Sequence, residues 1–187
     1  MSVFTIASLE LLIARRNMWV ATSVILMALF TVVLTLAGGA PTGTLGVDPL
    51  TVAVTSITTL SVYLIPLIGL LLSFDAIAGE AERGTLALSL TYPMSRGEIL
   101  VGKFFAHLSV LGVAIAVGLG LTAILTIWQY GIADLSFQAL LKLFFTSLAL
   151  GAAFLGIGYL VSSLVRQTGV ASGIVIIIWL ICVVLFD

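Results

Sequence analysis

Charge is what this chain has least of. Only 8% of its 187 residues are Asp, Glu, Lys or Arg, against 61% hydrophobic, and the mean hydropathy is +1.34. Soluble domains carry roughly 25% charged residues, so so apolar a chain belongs in a bilayer. The net charge of -1 gives nucleic-acid binding no electrostatic support. A single cysteine, Cys182, excludes an intrachain disulfide. One histidine, one cysteine and four scattered methionines do not make a soft-metal site. No Ser-His-Asp set, His-Glu-x-x-His motif or paired intramembrane carboxylates are present, so a membrane hydrolase has no visible machinery. The N-terminus lacks the small-residue cleavage site of a secretory signal.

Long apolar runs are plentiful. A spanning helix needs about 20 mostly apolar residues. Five segments meet that requirement: Met18–Leu36, Val52–Phe74, Phe104–Trp128, Leu143–Val165 and Val170–Phe186. The expected fold is therefore all-α, a polytopic transmembrane helical bundle. Gly and Pro punctuate the breaks, as in Gly38-Gly39-Ala40-Pro41-Thr42-Gly43, Gly131–Lys142 and Arg166-Gln167-Thr168-Gly169. Arg15, Arg16, Arg83, Arg96, Lys103 and Arg166 fall on one side of these spans and Lys142 on the other. This bias places the N-terminus in the cytoplasm. Trp19 and Trp128 sit at span ends, where indole rings favour the interface.

Ahead of the first span, residues 2–16 are too short and mixed to cross. At 100° per residue Val3, Phe4, Ile6, Ala7, Leu11, Ile13 and Ala14 share one side, opposite Ser2, Thr5, Ser8, Arg15 and Arg16. That pattern predicts a helix lying in the interface. Glu10 falls in its apolar sector, where it either snorkels or meets a basic partner. Arg83 is the first candidate partner and Lys103 the second.

The one long charged interruption runs from Asp75 to Lys103 and holds three of the seven basic and four of the eight acidic residues. Ala76–Arg83 is expected to continue the second span into water, with Gly84 breaking the helix. Thr85 is placed to cap a short helix with Leu86 and Leu90 one turn apart, ended by Tyr92-Pro93. Ser95-Arg96-Gly97-Glu98 is a capping box and starts a helix through Lys103 into the third span. That helix would reach roughly 50 Å at 1.5 Å per residue. Gly97-Glu98-Ile99-Leu100-Val101-Gly102-Lys103 imitates the start of a phosphate-binding loop, but Phe104 stands where Ser or Thr is needed. Lys103 is better read as an interfacial anchor, and His107, one turn later, as a polar interface residue. Small residues four apart (Ala116/Gly120, Ala152/Gly156, Gly158/Ser162, Gly169/Gly173) allow close helix approach. Pro66 should kink the second span.

The stretch Pro66-Leu67-Ile68, Phe74-Asp75-Ala76, Gly79-Glu80, Gly84-Thr85-Leu86, Leu90-Thr91-Tyr92-Pro93, Arg96-Gly97, Gly102-Lys103-Phe104 and His107 resembles the ABC-2 type permeases. The Glu-Arg-Gly-Thr-Leu and Pro-x-Ser-Arg patterns carry the family likeness. The Asp-Ala and Leu-Thr-Tyr-Pro details are most similar to the branch serving maturation of the copper centre of nitrous oxide reductase. Residues Ile6-Ala7 to Arg15-Arg16 look like that family's elbow helix, here with Glu10, Arg15 and Arg16.

The resemblance implies a non-enzymatic exporter permease in the prokaryotic inner membrane, one domain over residues 1–187. It implies a homodimer with a second permease copy, two copies of a separate ABC ATPase that uses the ATP, and a periplasmic copper-site assembly protein as a further partner. No cofactor would be bound by this chain, and its surroundings would be membrane lipid. Docking of the ATPase would fall on a coupling segment containing Gly79, Glu80, Glu82, Arg83, Gly84, Thr85, Leu86, Leu90, Pro93 and Arg96. Such permeases usually have six spans, so a sixth is expected beyond the five. Two other functions remain open: a generic ABC-2 exporter of lipid, peptide or drug, and a non-transporting membrane anchor or assembly subunit.

Overall fold

A computed structural model describes residues 49–85, 95–130 and 137–186, with six isolated positions (22, 25, 28, 29, 32 and 33) in the first apolar run. Five helices are defined: α1 (Pro49–Ser73), α2 (Asp75–Glu82), α3 (Arg96–Tyr130), α4 (Phe137–Leu164) and α5 (Thr168–Phe186). Among the described residues there is no strand. Ser61–Glu82, Arg96–Leu125 and Phe137–Leu164 are long and apolar enough to cross a bilayer, and Thr168–Val183 is a shorter apolar helix. The protein is a helical membrane bundle, as its composition requires. The N-terminal interfacial helix with Glu10, Arg15 and Arg16, most of the first span, and Leu86, Leu90 and Pro93 lie outside the described residues.

Helix α4 packs along α1 and also touches α2, α3 and α5. Two apolar clusters result. Leu64, Ile65, Ile68 and Leu72 of α1 meet Val110, Leu111, Ala114 and Ile115 of α3 and Leu155 of α4. On its other side α1 contributes Leu70, which with Phe74 just beyond its end joins Ala78 of α2, Val161 of α4, and Ala171 and Val175 of α5. Both sets recur at helical spacing, so α1 is buried on two faces. Side chains such as Phe105, Phe145, Leu160 and Ile177 remain exposed on the outer faces, which in a bilayer meet lipid.

Glycine makes the α1–α4 approach possible. A Cβ on Gly69 would lie 3.2 Å from the Gly151 carbonyl oxygen. One on Gly158 would overlap the Ser73 hydroxyl, and one on Gly151 would overlap Leu111. Of the small-residue pairs in the sequence, Gly158/Ser162 lies on this seam. Gly120, Gly156, Gly169 and Gly173 face open space.

One boundary differs from expectation, and the long third helix agrees with it. Helix α4 begins at Phe137 rather than near Leu143, so Lys142 lies inside it. The run Phe137-Gln138-Ala139-Leu140-Leu141-Lys142 has no helix breaker and continues the helix outward from the apolar core. Helix α3 has 35 residues, about 52 Å at 1.5 Å per residue. Against a hydrocarbon core of about 30 Å, this leaves several turns outside. Gly97–Lys103 lies wholly within α3, so it is not a phosphate-binding loop.

Candidate functional site

The second span does not end at Ser73. It breaks at Phe74 and resumes as α2. At the break Ser73 turns its hydroxyl back on the helix, donating to the carbonyls of Gly69 (2.7 Å) and Leu70 (3.2 Å). Such back-bonding competes with the ladder and bends helices. A new helix start leaves backbone donors without partners. The fully buried Ser162 of α4 takes up two of them, accepting from the N–H of Ile77 (3.0 Å) and of Ala78 (2.9 Å). Phe74, in the cap position, makes no side-chain cap bond of its own. Helix α2 is thus capped by a residue 84 to 85 positions away.

The far end of α2 is closed by glycine. Arg83 donates its backbone N–H to the Gly79 carbonyl (3.0 Å), and Gly84 donates to that of Ala81 (3.2 Å). Gly84 has φ 72°, the left-handed conformation glycine adopts at a helix end. The expected break at Gly84 is therefore present. The Thr85 hydroxyl donates to the Glu80 carbonyl at 3.4 Å; the short helix it is expected to cap lies outside the described residues.

Three charged contacts surround this short helix. The Lys103 ammonium of α3 donates to Glu80 Oε1 at 2.7 Å. Lys103 is only 7% exposed, so it is not the snorkelling anchor expected from sequence. Glu80 Oε2 is buried and has no hydrogen-bond partner among the described residues. A buried ion pair is costly to assemble but costlier to break from one side. Along α2 itself, Arg83 Nη1 lies 3.5 Å from Asp75 Oδ2, both side chains being exposed. Gly79 sits between them, and a Cβ there would overlap the Asp75 carboxylate. Whether Arg83 or Lys103 also meets Glu10 lies outside the described residues. Lastly, Glu82 Oε2 accepts from both the backbone N–H (2.9 Å) and the hydroxyl (2.5 Å) of Thr168, at the start of α5.

One turn beyond Lys103, His107 Nδ1 lies 2.7 Å from the Tyr159 hydroxyl of α4. The two rings are 5.7 Å apart, and Phe104 packs on the same tyrosine at 5.9 Å. His107 is half-buried between helices rather than displayed at an interface. The capping box before α3 forms as expected. Ser95 Oγ accepts from the Glu98 N–H (3.2 Å), and the Glu98 carboxylate accepts from the Ser95 N–H (2.9 Å). Arg96 and Gly97, in the first turn, are exposed.

The structure therefore brings Gly79, Glu80, Glu82, Arg83, Gly84 and Thr85 together on one polar helix end. Sequence reasoning missed three residues that hold it, Asp75, Ser162 and Thr168. Ser162 was visible only as a small residue at packing distance from Gly158. Thr168, just ahead of an apolar run, carried an ordinary helix-start signal. Among the described residues no cluster of His, Cys, Asp or Glu could hold a metal ion. Nothing in the arrangement forms a nucleophile–base pair. Its bonds tie α2 to α3, α4 and α5, so displacing α2 would either carry or break them.

Comparison with known proteins bears on what would be displaced. Residues 4–187 match the family model described as ABC-2 family transporter protein. The chain is 40% identical over 187 residues to a protein of Pseudomonas aeruginosa named "Probable ABC transporter permease protein NosY". The alignment covers 99% of this chain and 68% of that relative. A protein of the same name from Stutzerimonas stutzeri is 37% identical over the same shares.

Proposed function

The chain belongs to the ABC-2 family of transporter proteins, and on that premise we propose that it is the permease subunit of an exporter driven by a separate ABC ATPase. Two ATPase copies serve two permease copies, and this chain hydrolyses nothing. The observation that carries the reading is the match to the family along residues 4–187. The tied polar extension of the second span supports it, because a helix so anchored can pass on a push.

In this reading the ATPase docks on the segment containing Gly79, Glu80, Glu82, Arg83, Gly84, Thr85, Leu86, Leu90, Pro93 and Arg96. Leu86 and Leu90 supply its buried contact, and the charges set register and partner choice. The segment and the N-terminus are cytoplasmic, in the inner membrane of a prokaryote, as the basic residues favour. The helix containing Glu10, Arg15 and Arg16 rests in the same interface. ATP-driven alternation requires contacts that differ between two states.

The Asp-Ala and Leu-Thr-Tyr-Pro details, most similar to the branch serving maturation of the copper centre of nitrous oxide reductase, support that substrate reading, with a periplasmic assembly protein downstream. Co-expression with its proposed ABC ATPase tests the class: the chain should retain the ATPase through purification and stimulate its hydrolysis. Retention without stimulation would instead favour a membrane anchor. Deletion of the gene should leave nitrous oxide reductase without its copper centre. A fully metallated reductase in that strain would return the chain to the general ABC-2 exporters.

A further inference from the structure

We propose that Thr168 and Glu82 form the joint through which movement of the coupling segment reaches α5. The inference rests on the ATPase-driven reading and adds a route to it. The long helix α3 is the obvious lever, since it extends well beyond the bilayer. The packing of α2 points elsewhere. Beyond the Glu80–Lys103 pair, α2 rests on α4 and α5. Its buried Ala78 sits in one apolar cluster with Ala171 and Val175, from the first two turns of α5. Glu82 then closes the contact by capping Thr168 through both its N–H and its hydroxyl.

Two helix starts are therefore capped in series by side chains from other helices. Ser162 of α4 caps α2, and Glu82 of α2 caps α5. Only Val165, Arg166 and Gln167 separate α4 from α5, so little slack exists between them. A displacement of α2 must carry the start of α5 or uncap it.

Thr168 permits a clean cut. The Gln167 carbonyl accepts from the Ala171 N–H at 3.1 Å, which makes Gln167 the cap residue and Thr168 the first helical position. Proline is well accommodated there, since that N–H has no partner inside the helix. Thr168→Pro removes both donors to Glu82 without breaking α5. Thr168→Ser keeps both. Cys182, the chain's only cysteine, lies further along α5 and is half-buried, so its alkylation rate reports on that helix.

The experiment uses the full chain in complex with its ABC ATPase, with Cys182 alkylation by a permeant maleimide followed by mass spectrometry. In the parent and in Thr168→Ser, trapping with ATP and vanadate should change the Cys182 rate several-fold. Thr168→Pro should abolish that change while the ATPase still co-purifies. Thr168→Val, which keeps only the N–H, should give an intermediate response and replaces Thr168→Pro if that variant does not reach the membrane. A parent-like response in the variant that lacks the donor, or no response in a parent whose ATPase is stimulated, would overturn the joint. Failure of the parent to bind or stimulate the ATPase would instead overturn the ATPase-driven reading.

Discussion

Replacing Ser162 with alanine should loosen α2 specifically. The Ser162 hydroxyl is fully buried and accepts from two backbone donors, Ile77 N–H at 3.0 Å and Ala78 N–H at 2.9 Å. Loss of a helix cap costs about 1 kcal/mol in typical cases. A buried donor left without a partner costs about 1–3 kcal/mol. The two figures overlap, since they describe the same lost bonds, and about 2 kcal/mol is the expected total. That corresponds to roughly 30-fold in the opening equilibrium. Amide hydrogen exchange read by mass spectrometry on peptides covering α2 should rise by about that factor. The neighbouring Ser163 donates only to its own helix, to the Leu160 carbonyl, and is exposed. Ser163→Ala should therefore leave exchange unchanged. If Ser162→Ala also leaves the α2 peptides protected, α2 does not depend on its cap from α4, and the account of the break at Phe74 fails.

The remaining predictions concern the ion pair, the seam and the orientation. Lys103→Met should destabilise the detergent-solubilised protein by about 3–5 kcal/mol, because Glu80 is left charged and half-buried. Adding Glu80→Gln should recover much of that loss in a double-mutant cycle of denaturation midpoints; purely additive losses would contradict direct pairing. Gly158→Ala drives a methyl into the Ser73 hydroxyl and should cost about 1–3 kcal/mol, whereas Gly156→Ala faces open space and should be neutral or slightly stabilising. The comparison is read from the same midpoints, and equal effects would argue against the close α1–α4 approach. In a Cys182→Ala background, Ser89→Cys should be shielded from an impermeant maleimide in intact cells and Thr44→Cys should be labelled; the reverse pattern would invert the orientation.

The helical bundle was legible because lipid leaves backbone groups few alternatives to helix. The capping box at Ser95 and the helix end at Gly84 were equally legible, since each depends on residues within one turn of itself. The contacts that hold α2 were not. Ser162 reaches Ile77 across 85 positions, and Glu82 reaches Thr168 across 86. No local pattern encodes such pairings. Lys103 was read as an anchor because basic residues at span ends usually reach for water. Here Glu80 lies on the neighbouring helix and makes burial tolerable. Gly158/Ser162 was singled out for packing, which was right for Gly158 but missed the chemistry of the serine. The other small-residue pairs had the same spacing, and Gly120, Gly156, Gly169 and Gly173 stand in open space. Spacing reports which faces can approach closely, not which do.

The central claim is that the segment after the second span receives an ATPase, and one measurement tests it most directly. The chain and its proposed ABC ATPase are purified together, and ATP hydrolysis is compared for the parent, Gly84→Val and Leu86→Asp at equal membrane levels. Gly84 holds φ 72°, which valine resists, so that variant misdirects the segment that follows. Leu86→Asp instead replaces the proposed apolar contact with a charge. The account predicts that the parent retains and stimulates the ATPase and that both variants lose most of the bound ATPase and its stimulated hydrolysis. Undiminished retention and hydrolysis in Leu86→Asp would contradict it.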